Sequence, residues 1–214
     1  MNHSDARKAM VRDQLRRRGV SDESVLAAME TVPREKFVPE EMRDFAYRDS
    51  PLPIGRGQTI SQPYIVARMM ERLELEPDDR VLEIGTGLGY GAAILSRIAD
   101  TVYTLERHSA LAESAREKLE ALGYDNIYVI VTDGSLGWPE GAPYDAIVGT
   151  AGAPQVPEPL KEQLAEGGRL VLPVGSVPEQ QILIRLRKNE GNRFFEEQME
   201  AVRFVPLVGE AGWQ

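Results

Sequence analysis

The chain has 214 residues, 42% hydrophobic and 28% charged, with a formal net charge of −9 and no cysteine. That length and apolar content suit one domain with a sizeable core, and the missing cysteines exclude disulfides, a thiolate nucleophile and a cysteine metal site. His3 and His108 are the only histidines, so no metal is expected, and an acidic chain whose single basic run, Arg16-Arg17-Arg18, sits on a helical segment points away from nucleic acid.

No apolar run reaches membrane-spanning length and residues 1–10 lack the apolar stretch of a signal peptide, so a cytoplasmic monomer without membrane contacts is expected. Residues 5–18 and 22–30 read as two helices split by Gly19, with Ser21 as a cap and Met10, Leu15, Val25, Leu26 and Met29 as core candidates. Pro33, Pro39, Pro51 and Pro53 then mark a mostly irregular stretch with at most a short helix. Pro63, Ile65, Val66, Met69 and Met70 mark a helix beginning after Ser61, whose hydroxyl is placed to cap it.

From residue 80 the rhythm becomes strand–helix–strand. Strands are predicted at 80–84, 101–105, 127–131, 144–149 and 168–173, and helices at 90–99, 109–122 and 158–165. Such alternation implies a parallel sheet covered on both faces, with right-handed crossovers. Two late strands, near 180–187 and 199–205, have no helix-length connection before them and should form an antiparallel edge hairpin. The predicted architecture is one α/β domain, residues 1–214, with a Rossmann-like, mostly parallel seven-stranded sheet. Residues 80–214 form its ligand-binding core, and residues 1–79 form a helical extension carrying a substrate loop.

The most informative stretch is VLEIGTGLGY at 81–90, a strand running into Gly85-Thr86-Gly87-Leu88-Gly89 and then a helix-patterned segment. This is where an open α/β sheet binds a nucleotide-like ligand. A dinucleotide fingerprint would need its last glycine at position 90, which is Tyr90. The Gly-x-Gly-x-Gly spacing, with Glu83 two residues ahead, resembles motif I of the S-adenosylmethionine-dependent methyltransferases, and an acid there suits the cofactor's ammonium. Glu106, with Arg107 beside it, ends the second strand about 20 residues past the loop, placed to accept both ribose hydroxyls of an adenosine. Asp133-Gly134 ends the third strand, where an aspartate can accept from the adenine amine. Any one of these acids alone is more simply a solvated loop residue or a helix cap. Together with Gly85, Thr86, Gly87 and Gly89 they make a cofactor site. His108 reads as a loop or helix-start residue, which leaves no histidine base.

Six segments carry a closer resemblance: REKFVPEE (34–41), AYRDSPLPIGRGQTISQPYIVARM (46–69), VLEIGTGLGYGAAILS (81–96), DGSLGWPEGAPYDAIV (133–148), PVG (173–175) and AVRFVPLV (201–208). Together they resemble the protein-L-isoaspartate O-methyltransferases, and general methyltransferases lack GQTISQP. The resemblance implies methyl transfer from S-adenosylmethionine to the free α-carboxylate of L-isoaspartyl residues in damaged proteins and peptides. It makes Ser61 the active-site serine and puts Gln58, Thr59, Ile60 and Val205 at the substrate. The chain departs from the family pattern at Thr132, where glycine is common, and at Gly91 and Gly149. The FVPL segment (204–207) is expected to align a peptide by main-chain pairing. A small-molecule or RNA methyltransferase, a non-catalytic cofactor-binding module and an NAD-dependent dehydrogenase are the alternatives, the last disfavoured by Tyr90.

Overall fold

The computed structural model describes residues 2–214. Helix α1 (His3–Ala9) continues past its end, widening into a π-helical turn over Met10–Leu15 and tightening over Arg16–Arg18 until Gly19 stops it with φ +90°. Helix α2 (Glu23–Thr31) is capped by Asp22 rather than Ser21: Asp22 Oδ1 accepts from the Ser24 and Val25 N–H groups at 2.8 and 3.1 Å. Ser21 instead donates its N–H to Glu71 at 2.7 Å, which ties this corner to helix α3 (Pro63–Leu73).

The stretch expected to be irregular contains short 3-10 turns and then a two-stranded hairpin, β1 (Leu52–Gly55) and β2 (Gln58–Ile60). Its turn is Arg56-Gly57, both at positive φ. Leu52 and Ile54 point inward and Pro53 outward, an alternation the sequence carries but that the proline obscures.

The main sheet has seven strands: β3 (Arg80–Ile84), β4 (Thr101–Glu106), β5 (Ile127–Val131), β6 (Tyr144–Gly149), β7 (Leu164–Val177), β8 (Gln180–Asn189) and β9 (Arg193–Val202). Their order is β5-β4-β3-β6-β7-β8-β9. Strands β3 to β7 pair in parallel, and β7-β8 and β8-β9 are antiparallel, which gives the expected edge hairpin. The order reverses at β3, so the crevice beyond its carboxyl end is the switch point where such sheets bind ligands.

Period-two alternation splits the core between two faces. Val81, Val102 and Val148 face α3, the N-terminal extension and helices α4 (Tyr90–Leu95) and α5 (Ser109–Ala121). Leu82, Ile84, Leu105 and Ile147 face the short α6 (Glu158–Glu162) and the C-terminal segment around Leu207. Helices thus cover both faces, but the long ones sit on the first.

The last strand ends at Val202, earlier than the predicted 199–205. Residues 204–207 leave the sheet: the Gly152 N–H donates to the Val205 carbonyl and the Leu207 N–H to the Gly152 carbonyl, each at 2.8 Å, and Gln181 holds both main-chain groups of Phe204. Main-chain pairing with a peptide along FVPL is therefore largely pre-empted by the protein's own contacts. Among the described residues no helix is long and apolar enough to cross a membrane.

Candidate active site

The glycine loop joins β3 to α4 at the switch point, and its backbone requires its composition. Gly85, Gly87 and Gly89 all lie at positive φ. A Cβ on Gly85 would collide with Thr150 Oγ1, and one on Gly87 would press on Ile54 Cδ1 at 3.1 Å. Gly89 is the N-cap of α4 and packs against Leu119 without lining the pocket. The loop is tied down from β4: the Gly85 and Thr86 N–H groups donate to the Leu105 carbonyl at 2.9 and 3.1 Å, and the Gly87 N–H to Glu106 Oε2 at 2.9 Å.

Two adjoining cavities flank this loop. The first is lined by Gln58, Thr59, Gly85, Gly87, Glu106, Arg107, His108 and Gly134, with Ile84, Leu105, Leu207 and Val208 as apolar walls. An acid amid apolar walls suits a nucleoside, whose base is flat and whose ribose donates hydrogen bonds. Glu106 Oε1 also accepts from the His108 N–H at 2.9 Å, so this carboxylate braces both the glycine loop and the start of α5.

The second cavity is lined by Ile60, Ser61, Glu83, Thr86 and Gly91, with Met69, Met70, Leu88 and Tyr90 around them. Glu83 is buried; Thr104 Oγ1 donates to its Oε2 at 2.6 Å, and Thr86 Oγ1 lies 2.7 Å from Thr104 Oγ1. Burial pushes the Glu83 carboxyl up to about 8, against the opposing pull of the Thr104 hydrogen bond and with a smaller push from Glu106. An acid under an apolar, thioether-rich wall fits a cationic amino acid carrying a sulfonium. Gly91 makes this arrangement possible, because a Cβ there would collide with Glu83 Oε1.

Ser61 is where the structure corrects the sequence reading. Gln62 is the N-cap residue of α3, Pro63 is the first residue of the helix, and no side chain caps it. Proline at that position has no N–H to satisfy, and Ser61 sits one residue too early to cap. Its main chain is held instead: Arg34 Nη2 donates to the Ser61 carbonyl at 2.8 Å. Ser61, Thr59 and Thr150 line both the second cavity and a third, open groove bounded by Gln62, Ile65 and residues 201–205, Val205 included. They form the threshold between the two spaces.

Asp133 stands beside the first cavity and does not line it. Its Oδ1 accepts from Ser135 N–H and Oγ–H at 2.9 and 2.7 Å, and its Oδ2 from the Glu210 N–H at 2.8 Å, which fastens the C-terminal segment to the turn after β5. His108, expected as a loop or helix-start residue, is the N-cap position of α5 and also lines the first cavity, whereas Thr150 and Arg34 carry no site signal in the sequence. Thr150 follows β6 at a fourth strand end, and a search for acids at strand ends passes over a threonine.

An α/β sheet of this order, reversing beside a glycine loop, is the fold of an S-adenosylmethionine-dependent methyltransferase. The chain belongs to the protein-L-isoaspartate(D-aspartate) O-methyltransferase family, whose model matches residues 5–212. It is 59% identical over 212 residues to protein-L-isoaspartate O-methyltransferase 2 of Pelobacter propionicus, covering 99% of this chain and 94% of the relative. It is 58% identical to protein-L-isoaspartate O-methyltransferase 1 of Geotalea uraniireducens, covering 99% and 97%. A solved protein-L-isoaspartate O-methyltransferase superposes with TM-score 0.86 at 33% identity, covering 96% of this chain and 67% of that one. A putative Plasmodium falciparum member, solved with S-adenosyl-L-homocysteine, superposes with TM-score 0.80 at 28% identity, covering 97% and 99%. This chain is thus a protein-repair methyltransferase that uses S-adenosylmethionine.

Proposed function

We propose that this chain, as a cytoplasmic monomer, methylates the free α-carboxylate of L-isoaspartyl residues in damaged proteins and peptides, giving an ester that closes to a succinimide and reopens partly to aspartate. The observation that carries this reading is the threshold at Ser61, which opens on the cofactor cavity on one side and the groove on the other.

When bound, S-adenosylmethionine supplies an electrophilic methyl on a sulfonium. Glu106 would accept from the ribose hydroxyls, Gly134 and Val208 would face the base, and Glu83 would answer the ammonium from beneath the loop. An α-carboxylate with an ordinary pKa near 4 is already ionised at pH 7, so the residues need supply no general base. Their work is to hold one oxygen in line with the S–CH3 bond; as the O–CH3 bond forms the S–CH3 bond breaks, and no proton moves. Ser61 Oγ donates to the other oxygen and aims the nucleophile, with Gln58, Thr59 and Ile60 shaping the approach. Charge is neutralised as carboxylate meets sulfonium, so the apolar lining from Val66, Met69 and Met70 favours that step over separated ions.

The test is an isoaspartyl peptide and its normal aspartyl twin, each incubated with methyl-labelled S-adenosylmethionine. Label should enter only the isoaspartyl peptide. Equal labelling of both, or labelling of RNA and neither peptide, would overturn the proposal.

A further inference from the structure

The groove beyond Ser61 contains one feature that methyl transfer itself does not use. Among the residues lining it, Arg203 is the only ionisable one. In an acidic chain most nearby arginines are paired: Arg68 with Glu71 and Glu200, Arg185 with Glu74 and Glu197, Arg18 with Asp49. Arg203 is exposed and, among the described residues, forms no ion pair. The acid that precedes it on β9, Glu200, has its carboxylate turned to Arg68, with 3.3 Å between Oε1 and Nε. The groove therefore presents a free cation with its neighbouring acid already answered.

Position decides what that cation serves. Ser61, Thr59 and Thr150 line both the groove and the cofactor cavity, whereas Arg203 lines the groove alone. The reacting carboxylate must lie at the shared threshold, within reach of the methyl. Arg203 lines only the groove, where an extended peptide advancing about 3.3 Å per residue would place the side chains that neighbour the reacting residue. We infer that Arg203 is a specificity residue that receives an acidic side chain flanking the isoaspartyl residue, so that sites beside aspartate or glutamate are preferred. The inference rests on the isoaspartyl reading above and adds the sequence context to it. It also supplies a local attraction that a chain of net charge −9 does not provide at long range.

The experiment compares kcat/KM for isoaspartyl peptides that are identical except for glutamine or glutamate at the flanking positions. An exposed pair of this kind corresponds to about a two- to fivefold preference for the acidic peptide at low ionic strength, fading near 0.5 M salt. The acidic-to-neutral ratio should fall to about one in Arg203→Ala and below one in Arg203→Glu, with the change carried by KM rather than kcat. A ratio unchanged in Arg203→Ala overturns the inference. So does an equal loss on both peptides, which would put Arg203 on the reacting carboxylate. Failure of the wild-type protein to methylate any isoaspartyl peptide would overturn the isoaspartyl reading and this inference together.

Discussion

Arg34 and Ser61 are joined by a hydrogen bond from Nη2 to the Ser61 carbonyl at 2.8 Å, and the same guanidinium donates from Nε to the Ala46 carbonyl at 2.7 Å. Arg34 is fully buried with its Cζ 4.8 Å from the Tyr90 ring centroid, and burial lowers its pKa. A buried cation held by carbonyls and a ring needs its planar fork to satisfy both bonds at once. Arg34→Lys keeps the charge and loses the fork. It should cost about 1.5–3 kcal/mol of stability and lower kcat roughly 10-fold, with cofactor affinity little changed. Denaturation and steady-state kinetics on one preparation check this, and a wild-type kcat would show that the bond does not position Ser61.

Ser61 makes the complementary case. With no cap bond to lose, Ser61→Ala should leave stability within about 0.5 kcal/mol of wild type. It should lower kcat/KM by roughly 10–100-fold, the equivalent of about 1.5–3 kcal/mol of charge-assisted hydrogen bonding to the carboxylate. Full activity in a stable variant would remove Ser61 from the catalytic role.

Gly91 and Glu83 form a matched pair, since a side chain at 91 would displace the Glu83 carboxylate. Gly91→Ala should destabilise the protein by about 1–3 kcal/mol, the usual cost of overpacking, and weaken cofactor binding. The same change in a Glu83→Ala background should cost much less, because the atoms it meets are gone. Additive effects in that double-mutant cycle would show that the two positions are independent.

These pairs mark the limit of what was legible in the sequence. The strand–helix rhythm from residue 80 and the Gly-x-Gly-x-Gly spacing are local patterns, so the sheet and the cofactor crevice could be read directly. The acids at 83 and 106 line that crevice because strand ends in a parallel sheet share one edge. The relationships between distant segments were not legible. Nothing around Arg34 announces that it grips Ser61, and nothing in DGS announces that Asp133 fastens residue 210. The β1–β2 hairpin was hidden by Pro51 and Pro53. Glu71 of α3 accepts from the main-chain N–H groups of both Ser21 and Asp22, and it is Asp22, directly before the helix, whose carboxylate caps α2.

Glu83 gives the protein a pH signature. Folding raises its pKa from the ordinary 4.5 to about 8. Between those values the folded protein keeps a proton that the unfolded chain has lost, so this group's contribution to stability declines as pH rises from about 4.5 and is gone above about 8. The cofactor-free protein should therefore unfold more readily at pH 8.5 than at pH 6, and Glu83→Gln should flatten that slope. A cationic ammonium above the loop favours the ionised carboxyl, so cofactor binding at pH 7 should release protons. Calorimetry in two buffers of different ionisation enthalpy measures this directly; a binding enthalpy identical in both would count against an ion pair between Glu83 and the cofactor.

Glu106 has two separable roles. In the protein alone it accepts from the Gly87 and His108 N–H groups, each at 2.9 Å, so Glu106→Ala should cost about 1–3 kcal/mol of stability by leaving two amides without their partner. If the same carboxylate also accepts from the ribose hydroxyls, cofactor binding should weaken by a further amount of about 1–3 kcal/mol, roughly a 5- to 150-fold rise in Kd. Glu106→Gln separates the roles. Its one remaining carbonyl oxygen can hold either the loop amide or a ribose hydroxyl well, and its NH2 cannot accept at all. Stability should then recover most of the way while Kd stays raised. Adenosine and 2′,3′-dideoxyadenosine, compared as competitors, complete the test, since the wild-type protein should prefer the ribose-bearing ligand and Glu106→Ala should not. Equal discrimination in both proteins would leave Glu106 as a brace for the glycine loop and remove it from the cofactor contacts.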